Sequence, residues 1–169
     1  MPLLGLFHAA IKTADLAAAI RFYREVMGLR EVKRPAFNFQ GAWLALPSPG
    51  GDAIIHLYAG DRAQGPDGKV PSGTGALDHV SIAAHGYHDF RARFERFGLP
   101  YREFLVPGTT LWQLFVYDPS GVLLELTFEG EGETGAPPDM SPARKAIAGR
   151  DFFEPAAYER FAKADAATS

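Results

Sequence analysis

The chain has no cysteine among its 169 residues. Disulfide staples, zinc–thiolate sites and thiol nucleophiles are therefore excluded together, and any metal must be held by histidine, carboxylate or amide groups. An excess of positive charge is also missing: 17 Lys and Arg stand against 20 Asp and Glu, a formal net charge of −3. A nucleic-acid partner would want a basic face, so that class is set aside. No apolar run approaches the ~20 residues of a membrane helix. The start MPLLGLFHAAIK lacks the basic segment and unbroken apolar stretch of a secretory signal. The expectation is a soluble, cytoplasmic protein that does not engage a membrane. No Walker or Rossmann glycine motif appears, which removes the commonest phosphate cradles. The remaining composition, 47 % apolar and 22 % charged, is that of a globular protein, and the length suits one domain or two small halves sharing a core.

The chain also repeats itself once. FHAAIKTADLAAAIRFYREVMGLREV followed by GAWLALPSPGGDAIIHLYA is echoed by DHVSIAAHGYHDFRARFERFGLPYREFLV followed by TLWQLFVYDPSGVLLELTFE. Each copy opens with a His in a short β-like run, continues into an amphipathic helix closed by Gly-Leu, and passes to an Arg-Glu strand. A Trp-led strand and a final apolar strand with one polar residue near its middle follow. His8 precedes Gly28 by 20 residues and His79 precedes Gly98 by 19; Trp43 precedes His56 by 13 and Trp112 precedes Glu125 by 13. Chance can match one such pair, but hardly the whole order.

The fold class read from this is α+β, two paired β-α-β-β-β modules with a C-terminal helical tail. Module one spans 5–59, a Gly/Pro-rich linker 60–75, and module two 76–128, together a single domain over 1–130 with an extension over 131–169. Leu16, Ile20, Tyr23, Val26 and Met27 recur at helical spacing behind Asp15 as N-cap. Phe90, Phe94 and Phe97 do so in the second copy, where Gly98 supplies a left-handed stop. Asp118-Pro119-Ser120-Gly121 is a turn, with Pro47–Asp52 as its counterpart. The linker, as long as it is, reads as an active-site cover or a flexible connector. The tail carries Phe152, Phe153, Tyr158 and Phe161 for packing against the domain or a partner subunit.

Alternate strand residues share a face. His8 therefore lies with Ala10 and Lys12, His56 with Ile54 and Tyr58, His79 with Ser81 and Ala83, and Glu125 with Leu123 and Thr127. A carboxylate inside LLELTF is the sharpest of these, because a buried carboxylate needs a partner. A single strand histidine is more often a satisfied core or edge residue. The repeat changes that reading: the first and last strands of both copies carry their candidate at the matched place, and pairing of the copies would gather all four around one ion. His85 and His88 lack such placement and sit at a helix start, where exposure is expected.

The paired modules, the FHAAIKTADL and LDHVSIAA first strands, IIHLY and the YDPSGVLLEL ending resemble the vicinal oxygen chelate superfamily, which includes glyoxalase I, methylmalonyl-CoA epimerase, extradiol dioxygenases, and fosfomycin and bleomycin resistance proteins. The resemblance covers about residues 5–128. It implies curled mixed sheets around a metal cleft, with His8, His79 and Glu125 as ligands to one divalent ion (Fe, Mn, Co, Ni or Zn). His56 stands where glyoxalase-like and epimerase-like members carry Glu or Gln, which gives three histidines and one carboxylate and puts a carboxylate base at that position in doubt.

Such a site would chelate a small substrate through neighbouring oxygens and stabilise an enolate or oxyanion. That favours lyase or isomerase chemistry, with Glu125 as proton shuttle, His56 as ligand or base, and Tyr58, Ser81, Gln113 and Thr127 lining the cleft. One alternative is an extradiol-type dioxygenase using His8, His79 and Glu125 on Fe(II), and another is a resistance-type binding protein without catalysis. A homodimer is expected, since single paired-module chains of this family commonly dimerise and the Phe-rich tail offers apolar surface.

Overall fold

Asp15 starts the first helix as its position requires: its Oδ1 accepts from the Ala18 amide at 2.9 Å. The helix it caps, α1 (Leu16–Arg21), follows the first strand, β1 (Ala9–Lys12). The helical spacing predicts one regular helix to Met27. In the computed structural model, which describes residue 2 and residues 4–164, the second half instead widens into a π-helical turn, Phe22–Val26, with Met27 N donating to Phe22 O. The physical reason is burial. The wider turn brings two adjacent pairs inward, Phe22 with Tyr23 and Val26 with Met27, where a narrower helix would splay them. Gly28 (φ +75°) then ends the segment.

Strands β2 (Arg30–Val32), β3 (Gly41–Ala45) and β4 (Ala53–Tyr58) complete the first module, and its sheet runs β1-β4-β3-β2 with β1 parallel to β4. The second module repeats the plan with β5 (Val80–Ala83), α2 (Tyr87–Arg96), β6 (Tyr101–Leu105), β7 (Leu111–Tyr117) and β8 (Leu123–Glu129) in the order β5-β8-β7-β6, β5 parallel to β8. Gly98 has the expected positive φ, +63°. In β4, Ile55 and Leu57 are buried on one face; in β8, Leu124, Leu126 and Phe128 are. The opposite faces carry His56 and Glu125, so the expected parity is realised in both modules. The linker contains a short 3₁₀ turn, Gly60–Ala63, that its polar composition did not announce. The chain divides into two units, one through Ser72 and one from Gly73, so the C-terminal extension belongs to the second. Among the described residues no helix is long and apolar enough to cross a membrane.

One matched spacing proves to be accidental. Trp43 lies opposite His56 in the β3–β4 ladder, but the residue opposite Glu125 in the β7–β8 ladder is Phe115; Trp112 pairs with Phe128. The first hairpin carries a longer connection and a bulge at Leu44/Ala45. The second is closed tightly by Asp118, whose Oδ1 accepts from the Ser120 and Val122 amides, both at 2.8 Å, with Gly121 at φ +77°. Asp118→Ala should cost about 2 kcal/mol for the loss of these two bonds to a buried carboxylate; urea denaturation would show it as a lower midpoint at unchanged slope.

The extension covers the edge of the second sheet. Residues 139–146 run beside β6: Glu103 N donates to Arg144 O and Ala146 N to Glu103 O, each at 2.9 Å. Glu103 itself is fully buried, whereas its counterpart in the repeat, Glu31 on edge strand β2, is exposed. Coverage of one edge and not the other accounts for the difference. Downstream, α3 (Pro155–Lys163) buries Tyr158 and Phe161, and the Tyr158 hydroxyl donates to Tyr117 O at 2.7 Å.

Candidate metal centre

His79 immediately precedes β5 and Glu125 sits in the middle of β8, and the parallel pairing that aligns Ser81 with Glu125 brings them together. His79 Nε2 lies 3.4 Å from Glu125 Oε2, and its Nδ1 lies 2.7 Å from Asp78 Oδ1. A carboxylate can only accept, so Nδ1 donates to Asp78, which leaves Nε2 as the ring nitrogen facing a second carboxylate oxygen. Two electron-rich atoms so placed call for a proton or a cation between them. A carboxylate behind the imidazole is also the arrangement that orients a histidine for metal binding. Glu125 is 7 % exposed. Its Oε1 accepts from the Ser81 hydroxyl at 2.6 Å and the Thr127 hydroxyl at 2.8 Å, which fixes the group and leaves Oε2 toward His79.

The first unit repeats the arrangement with different chemistry. His8 immediately precedes β1 as His79 precedes β5, and His56 occupies in β4 the place of Glu125 in β8. The two imidazoles stack with centroids 3.8 Å apart, and Trp43 stacks on His56 at 4.3 Å. Burial, the neighbouring His8 and a hydrogen bond to the Ala53 backbone act on His56, and the first two prevail and hold its pKa below the ordinary histidine value. The neutral ring this favours is the form that coordinates cations. Among the described residues, buried His8 Nδ1 has no hydrogen-bond partner. A buried polar atom left unsatisfied is costly, and a bound cation would satisfy it. Histidine nitrogens and one carboxylate, with no thiolate, suit a divalent ion of the Fe, Mn, Co, Ni or Zn group.

The four candidates thus stand as two pairs, one in each unit, and among the described residues no group of three or more His, Asp or Glu is close enough to share an ion. Of the residues expected to line a cleft, Ser81 and Thr127 hydrogen-bond Glu125, Gln113 lines a cavity beside His79, and Tyr58 packs edge-on to Phe39 in the first unit. Lys12 is exposed at its strand end. His85 is exposed beside Glu133, while His88 bonds the Ala136 carbonyl, so the two help pin residues 133–136 to the start of α2. Asp78 and the aromatic backing of the histidines, Trp43 on His56 and Phe115 edge-on to His79, were not singled out in the sequence. The acid adjoining His79 in DHV was the available signal.

The family model for the Glyoxalase/Bleomycin resistance protein/Dioxygenase superfamily matches residues 5–126. The chain is 28 % identical over 130 residues to Glyoxylase I 4 of Arabidopsis thaliana, covering 73 % of this chain and 70 % of the relative. Among solved structures, a glyoxylase/bleomycin resistance protein/dioxygenase domain from Frankia sp. EAN1pec superposes with TM-score 0.59 at 24 % identity, covering 78 % of this chain and 96 % of that one. A lactoylglutathione lyase from Agrobacterium tumefaciens superposes with TM-score 0.55, also at 24 % identity, covering 78 % and 98 %. The structural likenesses establish the fold of two β-α-β-β-β modules, and with a family model matching well over half its length, this chain belongs to the Glyoxalase/Bleomycin resistance protein/Dioxygenase superfamily.

Proposed function

We propose that this chain is a divalent-metal-dependent enzyme performing lyase or isomerase chemistry on a small substrate with neighbouring oxygen atoms, its candidate metal ligands being His8 with His56 in the first unit and His79 with Glu125 in the second. The observation that carries the reading is the His79–Glu125 pair, in which Asp78 fixes one ring nitrogen while Ser81 and Thr127 fix one carboxylate oxygen, so that the remaining two donors face each other at 3.4 Å. The kinship with Glyoxylase I 4 supports the class of chemistry. When bound, the ion would act as a Lewis acid on the substrate's oxygens. Glu125 Oε2 is the group placed to take and return a proton, since Oε1 is committed to two hydroxyls. His56, flat between His8 and Trp43, is held too rigidly to swing as a base and is read as a ligand.

Elemental analysis of protein expressed in several metal-supplemented media should give about one divalent ion per chain. His56→Ala should weaken metal affinity by at least the roughly 10–100-fold seen when a metal's outer shell is perturbed. Metal content unchanged in that variant, with lowered turnover, would assign His56 to a base and make Fe(II) with catechols under oxygen the first assay. Metal retained in both His8→Ala and His56→Ala would confine any site to the second unit.

The same reading includes a homodimer, now on different grounds. In the tail Tyr158 and Phe161 are buried and Phe152 and Phe153 half-buried on their own unit, but Leu4, Leu6 and Phe7 remain 98, 85 and 76 % exposed. Light scattering at micromolar concentration should give twice the chain mass; a stable monomer would overturn this part.

A further inference from the structure

The extension does more than cover an edge. A cavity of about 380 Å³, within the range of small-molecule sites, opens beside His79 in the second unit, and part of its wall is built from residues 146–152, beyond the family-matched region. Phe104 and Phe115 from the sheet and Phe152 from the extension supply aromatic surface. Phe152 is held from two sides, with its ring 4.8 Å from that of Tyr117 and the Arg102 guanidinium 4.8 Å over it. The Tyr117 hydroxyl is in turn hydrogen-bonded to Asp151; burial first and then this bond push its pKa up to about 12, so it remains a phenol through the neutral range. Asp151 and Phe152 are therefore both held by the sheet, and this part of the wall is preorganised.

Beside the cavity, and sharing Ile147, Arg150 and Phe152 with it, lies a smaller hollow of about 160 Å³ lined by Arg102, Lys145 and Arg150 and by no acidic residue. Among the described residues none of these three cations pairs with a carboxylate. Arg102 and Lys145 face aromatic rings, and Arg150 is exposed on the turn closed by Arg150 N to Ile147 O. Arg150 lines both spaces and Arg102 and Lys145 the hollow alone, while the two acids of the cavity are engaged, Asp78 with His79 and Asp151 with Tyr117; a cation cluster of this kind suits an anionic group.

We propose that this cavity binds an amphiphilic anion, with a flat apolar body the size of an aryl group between Phe115 and Phe152 and an anionic group at Arg150, and that residues 146–152 set substrate specificity. The inference rests on the proposed function, which places the reacting oxygens at His79, and it adds the chemistry of the residues that the extension contributes. It marks the extension as a recognition element that the matched domain does not supply.

The test uses 2-naphthalenesulfonate, a poor chelator, and 2-naphthalenemethanol, its uncharged analogue, titrated calorimetrically into the full-length chain as purified and after chelator dialysis. The sulfonate should bind at least about tenfold tighter than the alcohol in both samples. Arg150→Gln, an exposed change that leaves the fold intact, should remove that preference while alcohol binding stays unchanged. Phe152→Leu should weaken both ligands severalfold with a circular dichroism melt close to that of the parent. Equal binding of the two probes, a preference that survives Arg150→Gln, indifference to Phe152→Leu, or no saturable binding would overturn the proposal. Elemental analysis of the same samples separates the two failures: a full complement of metal without sulfonate binding sinks this inference alone, and sulfonate binding without metal sinks the functional reading alone.

Discussion

Under the proposed function, Glu125→Ala is expected to abolish metal binding while leaving the protein folded. Removing a charged ligand outright should exceed the loss from disturbing an outer shell, so a fall in affinity of at least about 100-fold is expected, read by elemental analysis after gel filtration and by competition with a chelating dye. The fold should hardly notice. The partners of Glu125 Oε1 are Thr127 and Ser81, and Ser81 is exposed enough for water to replace the carboxylate, so the metal-free variant should unfold within about 1 kcal/mol of metal-free parent. Glu125→Gln keeps an acceptor for both hydroxyls and loses the charge, and should fall between parent and alanine. If Glu125→Ala instead lowers metal-free stability by several kcal/mol with metal content intact, Glu125 is a structural residue and the proposed centre fails.

The opposite pattern is expected at Glu103, where the effect belongs to stability. Glu103 Oε2 accepts from the Tyr87 hydroxyl at 2.6 Å and the Asp139 amide at 2.8 Å, and Oε1 lies 3.4 Å from Arg91 Nε. Burial and the bond to Glu103 both push the Tyr87 phenol up, so it serves purely as a donor in this network. Glu103→Ala leaves a buried hydroxyl, a backbone amide and a partly buried guanidinium without their anion, a loss of about 3–5 kcal/mol by analogy with broken buried ion pairs. Glu103→Gln, which preserves shape and one acceptor, should lose less than half of that. Thermal denaturation measures the total. Hydrogen exchange should place the first loss of protection at the amides of Glu103 and Ala146, and unchanged protection there would refute the role given to Glu103.

The contrast between these residues shows what the sequence could carry. Glu125 was readable because a strand has period two: a carboxylate at an alternate position in LLELTF faces away from Leu124 and Leu126, whatever surrounds the sheet. The order of elements, the Asp15 cap and the Gly98 stop were readable for the same reason, being set within a few residues of themselves. Glu103 was not readable. Its burial depends on which segment covers β6, and the matched Arg30-Glu31 suggested the same environment for Arg102-Glu103. The match of Trp43 with Trp112 misled in a related way. Linear spacing equals structural register only when the intervening turns have equal length, and Asp118 closes its hairpin more tightly than Pro47–Asp52 does. The π-helical turn and the aromatic wall at Phe152 likewise follow from tertiary contacts that periodicity does not encode.

The parallel pairing of first and last strand in each module has a consequence for how the chain is made. Ala9 meets Ile55 and Val80 meets Leu124, so β1 and β5 wait without a partner until nearly all of their module has emerged from the ribosome. The local hairpins β2–β3, β3–β4, β6–β7 and β7–β8 can form as soon as each is synthesised, but the last closure in each unit spans over forty residues, and contacts of such separation are slow to form. During that interval the strand leading from each leading histidine presents an unpaired edge. A ribosome-bound chain halted before residue 53 should remain sensitive to protease at β1, and one exposing residue 58 and a few residues beyond should not.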